Sequence, residues 1–203
     1  MTSYRRTFQP NGCYVFTLHQ VDSPSYSYLL ENIKLLATSV SESLCRYPCI
    51  IQSMTVLPSQ LHMMVYCPLG ESNFHNFVRM LQQQFTNHIA PLRVVRSFTP
   101  YRRSSVWQTE YHYHLIHDVQ QWLRYRDDIH AEVVRQGIVD KAINWPYSSL
   151  HQYVEEGRLD ADWVSPYIDE KSLFSEKTET FHDADVVNLT SSGIGLKGQF
   201  VSH

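Results

Sequence analysis

Two β-prone runs, Ile50 to Leu57 and Leu61 to Cys67, are separated by the turn residues Pro58-Ser59, so the chain is constrained to fold them as neighbouring strands. Helical stripes flank the pair. Before it, Leu29, Ile33, Leu36, Val40 and Leu44 recur at helical spacing from Ser25 until Pro48. After it, Ser72 reads as the cap of a helix carrying Phe74, Phe77, Val78, Leu81, Phe85 and Ile89, closed by Pro91. Gly12 to His19 and Val106 to His117 read as further strands, and Asp118 as the N-cap of a helix that runs to Gly137. The order strand, helix, strand, strand, helix, strand, helix predicts an α/β (α+β) fold: a ferredoxin-like antiparallel sheet with helices packed on one side and a further helix laid against it.

With 203 residues, 43% of them hydrophobic, one core suffices. No stretch approaches the length needed to cross a bilayer, and the first ten residues hold two arginines but no apolar run, which argues against a signal peptide, so the expectation is a cytoplasmic protein with no membrane partner. Cys13, Cys45, Cys49 and Cys67 form no Cys-x-x-Cys pair and read as reduced packing residues. The net charge of −3 hides a division: residues 1–126 hold 11 Lys and Arg against 6 Asp and Glu, whereas residues 127–203 hold 6 against 14. The first part can attract phosphates and the second opposes them. From Asp160 the hydrophobic pattern thins into an acidic segment, which suggests a domain over 1–163 and a partly ordered tail over 164–203.

In the strand after Pro58-Ser59, Gln60, His62 and Met64 share one face. On the last long helix, Val119, Trp122, Ile129 and Val133 gather on one side and Gln121, Tyr125, Asp128, Glu132 and Arg135 on the other. A lone strand histidine, or an acidic helix face, is ordinarily a packed or solvated feature. The basic stretch 92–105, with Arg102 and Arg103, and the leader Tyr4-Arg5-Arg6 are candidate phosphate contacts, with Tyr4 and Trp107 as faces for unstacked bases. His112-Tyr113-His114 offers a second pair of same-face histidines.

Four blocks, in order, carry a resemblance. They are Tyr4-Arg5-Arg6 leading into Gly12 to Thr17; Leu57-Pro58 followed by Gln60-Leu61-His62; Val106-Trp107-Gln108; and Trp145-Pro146-Tyr147-Ser148-Ser149 with Gly157 and Asp162-Trp163. Residues 4–163 thereby resemble the REP-associated tyrosine transposases, the single-tyrosine group of the HUH nuclease superfamily. The resemblance implies a transposase-like fold, a bacterial cytoplasmic setting and single-stranded or hairpin DNA as partner. It also implies a His-hydrophobic-His metal strand and a helix whose tyrosine attacks a metal-polarised phosphodiester.

Measured against that pattern, the first metal histidine is Gln60 and the second is His62. Aligned on Gly137, the nucleophile position is Asp128 and the helper asparagine is Glu132. A carboxylate attacking phosphorus would give a labile acyl phosphate, so the resemblance implies a DNA-binding protein that no longer cuts. The alternative is an active nicking and joining transposase rebuilt on His62, Glu132 and either Tyr125 or the His112/His114 pair. A weak Mg²⁺ or Mn²⁺ site on His62, Gln60 and Glu132 is compatible with either. A third reading is a protein-interaction module whose acidic tail has replaced DNA contact.

Overall fold

A computed structural model describes residues 12–21, 26–96, 106–175 and 179–182. The expected contacts Tyr4, Arg5, Arg6, Arg102 and Arg103 lie outside the described residues. Strands β1 (Cys13–His19), β2 (Ile50–Val56), β3 (Gln60–Tyr66), β4 (Glu110–Leu115) and β5 (Glu179–His182) form one sheet in the order β2-β3-β1-β4-β5, antiparallel at every pairing. The first four strands stand in the ferredoxin-like order. β5 extends the sheet with residues drawn from the acidic tail.

Alternation along β1 divides the molecule into two layers. Tyr14, Phe16 and Leu18 face a core built with α2 (Ile33–Arg46) and α3 (Glu71–Arg96), including Phe74, Phe77 and Phe85. Cys13 and Val15 face the other way, with Met64, against Trp122, Tyr125 and Ile129 of α4 (Val119–Arg135). The two crossover helices therefore share one side, and the last long helix covers the opposite face. A short α1 (Tyr28–Glu31) precedes α2, capped by Ser27, whose hydroxyl accepts from the Leu30 amide. Asp118 caps α4 by accepting from the Gln121 amide at 2.8 Å, and Gly137 follows it at φ 66°, a left-handed turn that glycine adopts without strain.

Three expectations are corrected. Pro91 does not end α3, which runs on to Arg96: a proline removes one N–H from the ladder, and the helix resumes beyond it. The strand expected over Val106 to His117 begins at Glu110 and pairs with β1 over His112 to Leu115, with an isolated bridge between Gln20 and Trp107 ahead of it. The cysteines are not all reduced, since Cys49 and Cys67 form a disulfide. The hairpin register explains it: Ile50 pairs with Tyr66, which sets Cys49 and Cys67 side by side one step beyond.

The Trp145 to Ser149 block serves as an edge seal. The Trp145 indole donates to the Val56 carbonyl at 2.8 Å, the Val56 amide donates to Tyr147, and the Ser149 amide donates to Met54 while its hydroxyl accepts from the Met54 amide. These bonds occupy backbone groups that β2, an edge strand, would otherwise leave open to another chain. α5 (Leu150–Glu155) continues from the seal and buries Tyr153 behind α4.

The cysteines give a direct check. Cys13 is buried, with burial pushing its thiol up to about 12, and Cys45 is exposed. Native protein without reductant should take up one alkyl group per chain, at Cys45, and reduction should open Cys49 to the same reagent. Mass spectrometry of the alkylated protein reads this out, and labelling of Cys49 without reductant would show that the disulfide is absent.

Candidate functional site

The sheet face under α4 carries Thr17 and His19 from β1, Gln60 and His62 from β3, and His112 and His114 from β4. Register sets Thr17 beside both His62 and His112, and His19 beside Gln60. His62 is 1% exposed, and burial together with neighbouring His19 lowers its pKa to about 3, so the ring is neutral. Its two nitrogens are both engaged. Thr17 Oγ1 lies 2.8 Å from Nδ1, and Gln60 Oε1 lies 3.0 Å from Nε2. Gln136 Nε2 donates to the same Gln60 oxygen at 3.4 Å and to Glu132 Oε1 at 3.0 Å. Because that amide oxygen is the shared acceptor, Nε2 carries the imidazole proton and Nδ1 accepts from the Thr17 hydroxyl.

The structure thus joins Gln60, His62 and Glu132, the three expected cation ligands, in one hydrogen-bonded chain through Gln136. This arrangement does not fit a cation. His62 turns a protonated nitrogen toward Gln60, and Glu132 Oε2 lies 3.5 Å from Arg135 Nη1. Among the described residues no group of three His, Cys, Asp or Glu side chains is set to hold a metal ion, and that includes the His112/His114 alternative. His112 instead sets its ring edge to face with His19, with centroids 6.2 Å apart.

The polar side of α4, expected to adjoin the His62 strand, does so and is largely buried there. Asp128, at the nucleophile position, is 0% exposed. Arg135 Nη2 donates to its Oδ1 at 2.6 Å, the Leu173 amide donates to Oδ2 at 3.0 Å, and Arg124 Nε lies 3.6 Å from Oδ2. Such a carboxylate is spoken for on both oxygens. Tyr125 packs in the core of this face, its ring 5.4 Å from that of His114 and 5.9 Å from that of Phe174. His62 lies 4.3 Å from the same Phe174 ring, so strand and helix meet across a residue of the acidic tail.

That tail segment is what sequence reasoning missed. Arg135 Nη2 also donates to the Tyr167 carbonyl at 2.9 Å, and Arg124 Nη1 donates to Glu170 Oε2 at 2.7 Å. The signal was the set of apolar residues Val164, Tyr167, Ile168, Leu173 and Phe174 set among acidic and small polar ones. Trp107 also needs correction as a face for bases. It is 2% exposed, its indole donates to the Gln82 carbonyl, and its ring packs 5.4 Å from that of Phe85. An indole next to a basic loop looked available, but the α3 core claims it.

Since Asp128 is sealed from water, its arginine is indispensable to the fold. Arg135→Ala should cost about 3 kcal/mol of stability, because it strands a buried charge. Arg135→Ala with Asp128→Asn should recover much of the loss. Urea unfolding of the two variants measures both; an Arg135→Ala cost within a few tenths of a kcal/mol would mean that water reaches the carboxylate.

No family model matches the chain. A Haemophilus influenzae protein named as a REP-associated tyrosine transposase is 30% identical over 167 residues, which span 80% of this chain and 93% of that one. The REP-associated tyrosine transposase of Escherichia coli K12 is 25% identical over 169 residues, spanning 83% and 94%. A solved REP-associated tyrosine transposase bound to a REP hairpin superposes with a TM-score of 0.70 at 23% identity, covering 88% of this chain and 100% of that one, which shows the shared fold. No described helix is long and apolar enough to cross a membrane. Sequence and fold agree, and the chain belongs to the REP-associated tyrosine transposases.

Proposed function

We propose that this chain binds hairpin DNA with flanking single strand and does not cut it. One observation carries the reading: the residue at the family's nucleophile position is Asp128, buried and held by Arg135, Arg124 and the Leu173 amide. A clamped carboxylate has neither the phenolic oxygen nor the freedom that in-line attack on phosphorus requires. The cation that would polarise the phosphate finds His62 protonated on the nitrogen facing Gln60. Both chemical roles have lapsed together. Binding is supported by family membership, and by the related structure whose protein is held on a REP hairpin.

Affinity in this reading comes from the basic part of the chain, with Arg5, Arg6, Arg102 and Arg103 on phosphates and Tyr4 on an unstacked base. Four phosphate contacts would give a log–log slope of affinity against salt of about −3. The acidic residues from 155 onward, 10 Asp and Glu against 4 Lys and Arg, weaken the net attraction without abolishing it.

Gel shifts on single-stranded hairpins, with and without Mn²⁺, should show binding that is indifferent to the cation. Denaturing gels of the same mixtures should show neither nicked strand nor protein–DNA adduct. An adduct lost on Tyr125→Phe would replace this reading with the rebuilt enzyme, and absence of any shift at low salt would remove DNA from the account altogether.

A further inference from the structure

The disulfide sits at a corner where several elements meet. Cys49 and Cys67 close the open end of the β2–β3 hairpin, one step beyond the Ile50–Tyr66 pair. The Cys67 amide donates to the Gly12 carbonyl at 2.7 Å, and the Gly70 amide donates to the Cys67 carbonyl at 3.0 Å, just before α3 begins. Asn73, in the first turn of α3, donates from Nδ2 to the Pro48 carbonyl at 3.0 Å and lies 3.4 Å from Cys49 Sγ. Gly12 fits this corner closely, since a Cβ there would come 2.7 Å from the Tyr66 ring. The bridge therefore ties together the start of α3 and the point where the basic leader enters the sheet. Its two sulfurs differ in access: Cys67 is 0% exposed, whereas Cys49 is half-buried between the exposed residues Pro48 and Ile50.

We propose that Cys49–Cys67 is a redox-active pair, reduced by a dithiol donor through Cys49, and that its opening loosens the leader's entry and so weakens DNA binding. Only the last step rests on the DNA reading above. A donor thiolate attacks Cys49 Sγ to form a mixed disulfide, and the S–S electron pair leaves with the Cys67 sulfur, which takes a proton. The donor's second thiolate then attacks the donor sulfur of the mixed disulfide. That closes the donor's own disulfide and releases the Cys49 sulfur, which takes the second proton. Two electrons and two protons have passed from donor to pair. A donor with a single thiol does not complete the exchange, because Cys67 adjoins Cys49 and recloses the mixed disulfide first. Inside cells DNA is met where thiols are kept reduced, and disulfides there are usually transient and sensing. Opening the bridge leaves the hairpin ladder in place but lets Cys49 and Cys67 part, so the bonds to Gly12 and from Asn73 lose their fixed base. Arg5 and Arg6 then reach phosphate from a looser anchor and give up more freedom on binding.

The test uses the full chain with Cys45→Ser, which removes the exposed thiol. In mixtures of reduced and oxidised dithiothreitol, alkylation and mass spectrometry should show Cys49 and Cys67 passing together and reversibly between disulfide and dithiol, with the circular dichroism of the folded protein unchanged. Cys67→Ser should form a mixed disulfide with glutathione disulfide at Cys49, and Cys49→Ser should form none at the buried Cys67. Hydrogen exchange at the Cys67 and Gly70 amides should quicken about tenfold on reduction, while the β1 amides paired with β4 keep their rates. Hairpin DNA should bind the oxidised form at least about threefold more tightly than the reduced form, and Arg5→Ala with Arg6→Ala should erase the difference. A pair that does not reoxidise, reaction at Cys67 in place of Cys49, or equal exchange in both states would overturn the redox pair. Equal hairpin affinities in the two states would overturn its control of DNA binding. If neither state binds a hairpin, the DNA reading fails on its own, and the redox titration and the exchange rates decide the pair.

Discussion

The ion pair between Arg135 and Asp128 organises everything on the α4 face. A carboxylate without access to water must be paired, and this one takes Arg135 at 2.6 Å with Arg124 beside it. Neither guanidinium spends all its donors there. Arg135 reaches on to the Tyr167 carbonyl, and Arg124 to Glu170 and the Lys171 carbonyl, so the tail is drawn across the helix by the same cations that neutralise Asp128. The Leu173 amide closes the loop by donating to Asp128. Phe174 then has one place to go, against His62 and Tyr125. One buried charge thus determines the path of a segment more than thirty residues further along the chain.

The chemistry that the family runs on this face needs an accessible phenol and a cation with free lone pairs around it. At the position the resemblance aligns with the tyrosine stands an acid, Asp128, and it is paired with arginines. The lone pair of His62 Nδ1 is taken by a hydroxyl, while its proton on Nε2 is taken by an amide. Gln60 lies against the imidazole, and Gln136 links Gln60 to Glu132. The result is a neutralised polar layer in which both Asp128 oxygens are bonded, while the Nε atoms of Arg124 and Arg135 are buried without a hydrogen-bond partner.

Much of the architecture was legible in the sequence because it follows from periodicity. Alternation set His62 and Gln60 on one face, and helical spacing set Tyr125, Asp128 and Glu132 on another, and both faces do meet. The environment of that helix face was not legible. Polar residues at helical spacing read as solvated, and only the long-range partner at 165–174 converts them into a buried layer. Trp107 failed for a related reason, since neighbouring arginines say nothing of the Phe85 ring it packs on. The disulfide, by contrast, was within reach: once Ile50 pairs with Tyr66 across the hairpin, Cys49 and Cys67 must adjoin.

The packing core and the polar residues of the α4 face are largely separate sets. The core on the α2–α3 side, from Tyr14 and Phe16 to Phe74 and Phe85, touches none of Gln60, His62, Asp128 or Glu132. The edge of β2 is closed by Trp145 to Ser149 through main-chain bonds, while Ser148 also meets Thr55 beside His62 and Ser149 meets His130 of α4. Much of the stability is therefore supplied by one face and one edge, with the Arg135–Asp128 pair and the Trp122 and Ile129 core adding theirs on the α4 face. A substitution on that face costs stability only by the buried charge it introduces, and the neighbouring arginines cancel that cost locally.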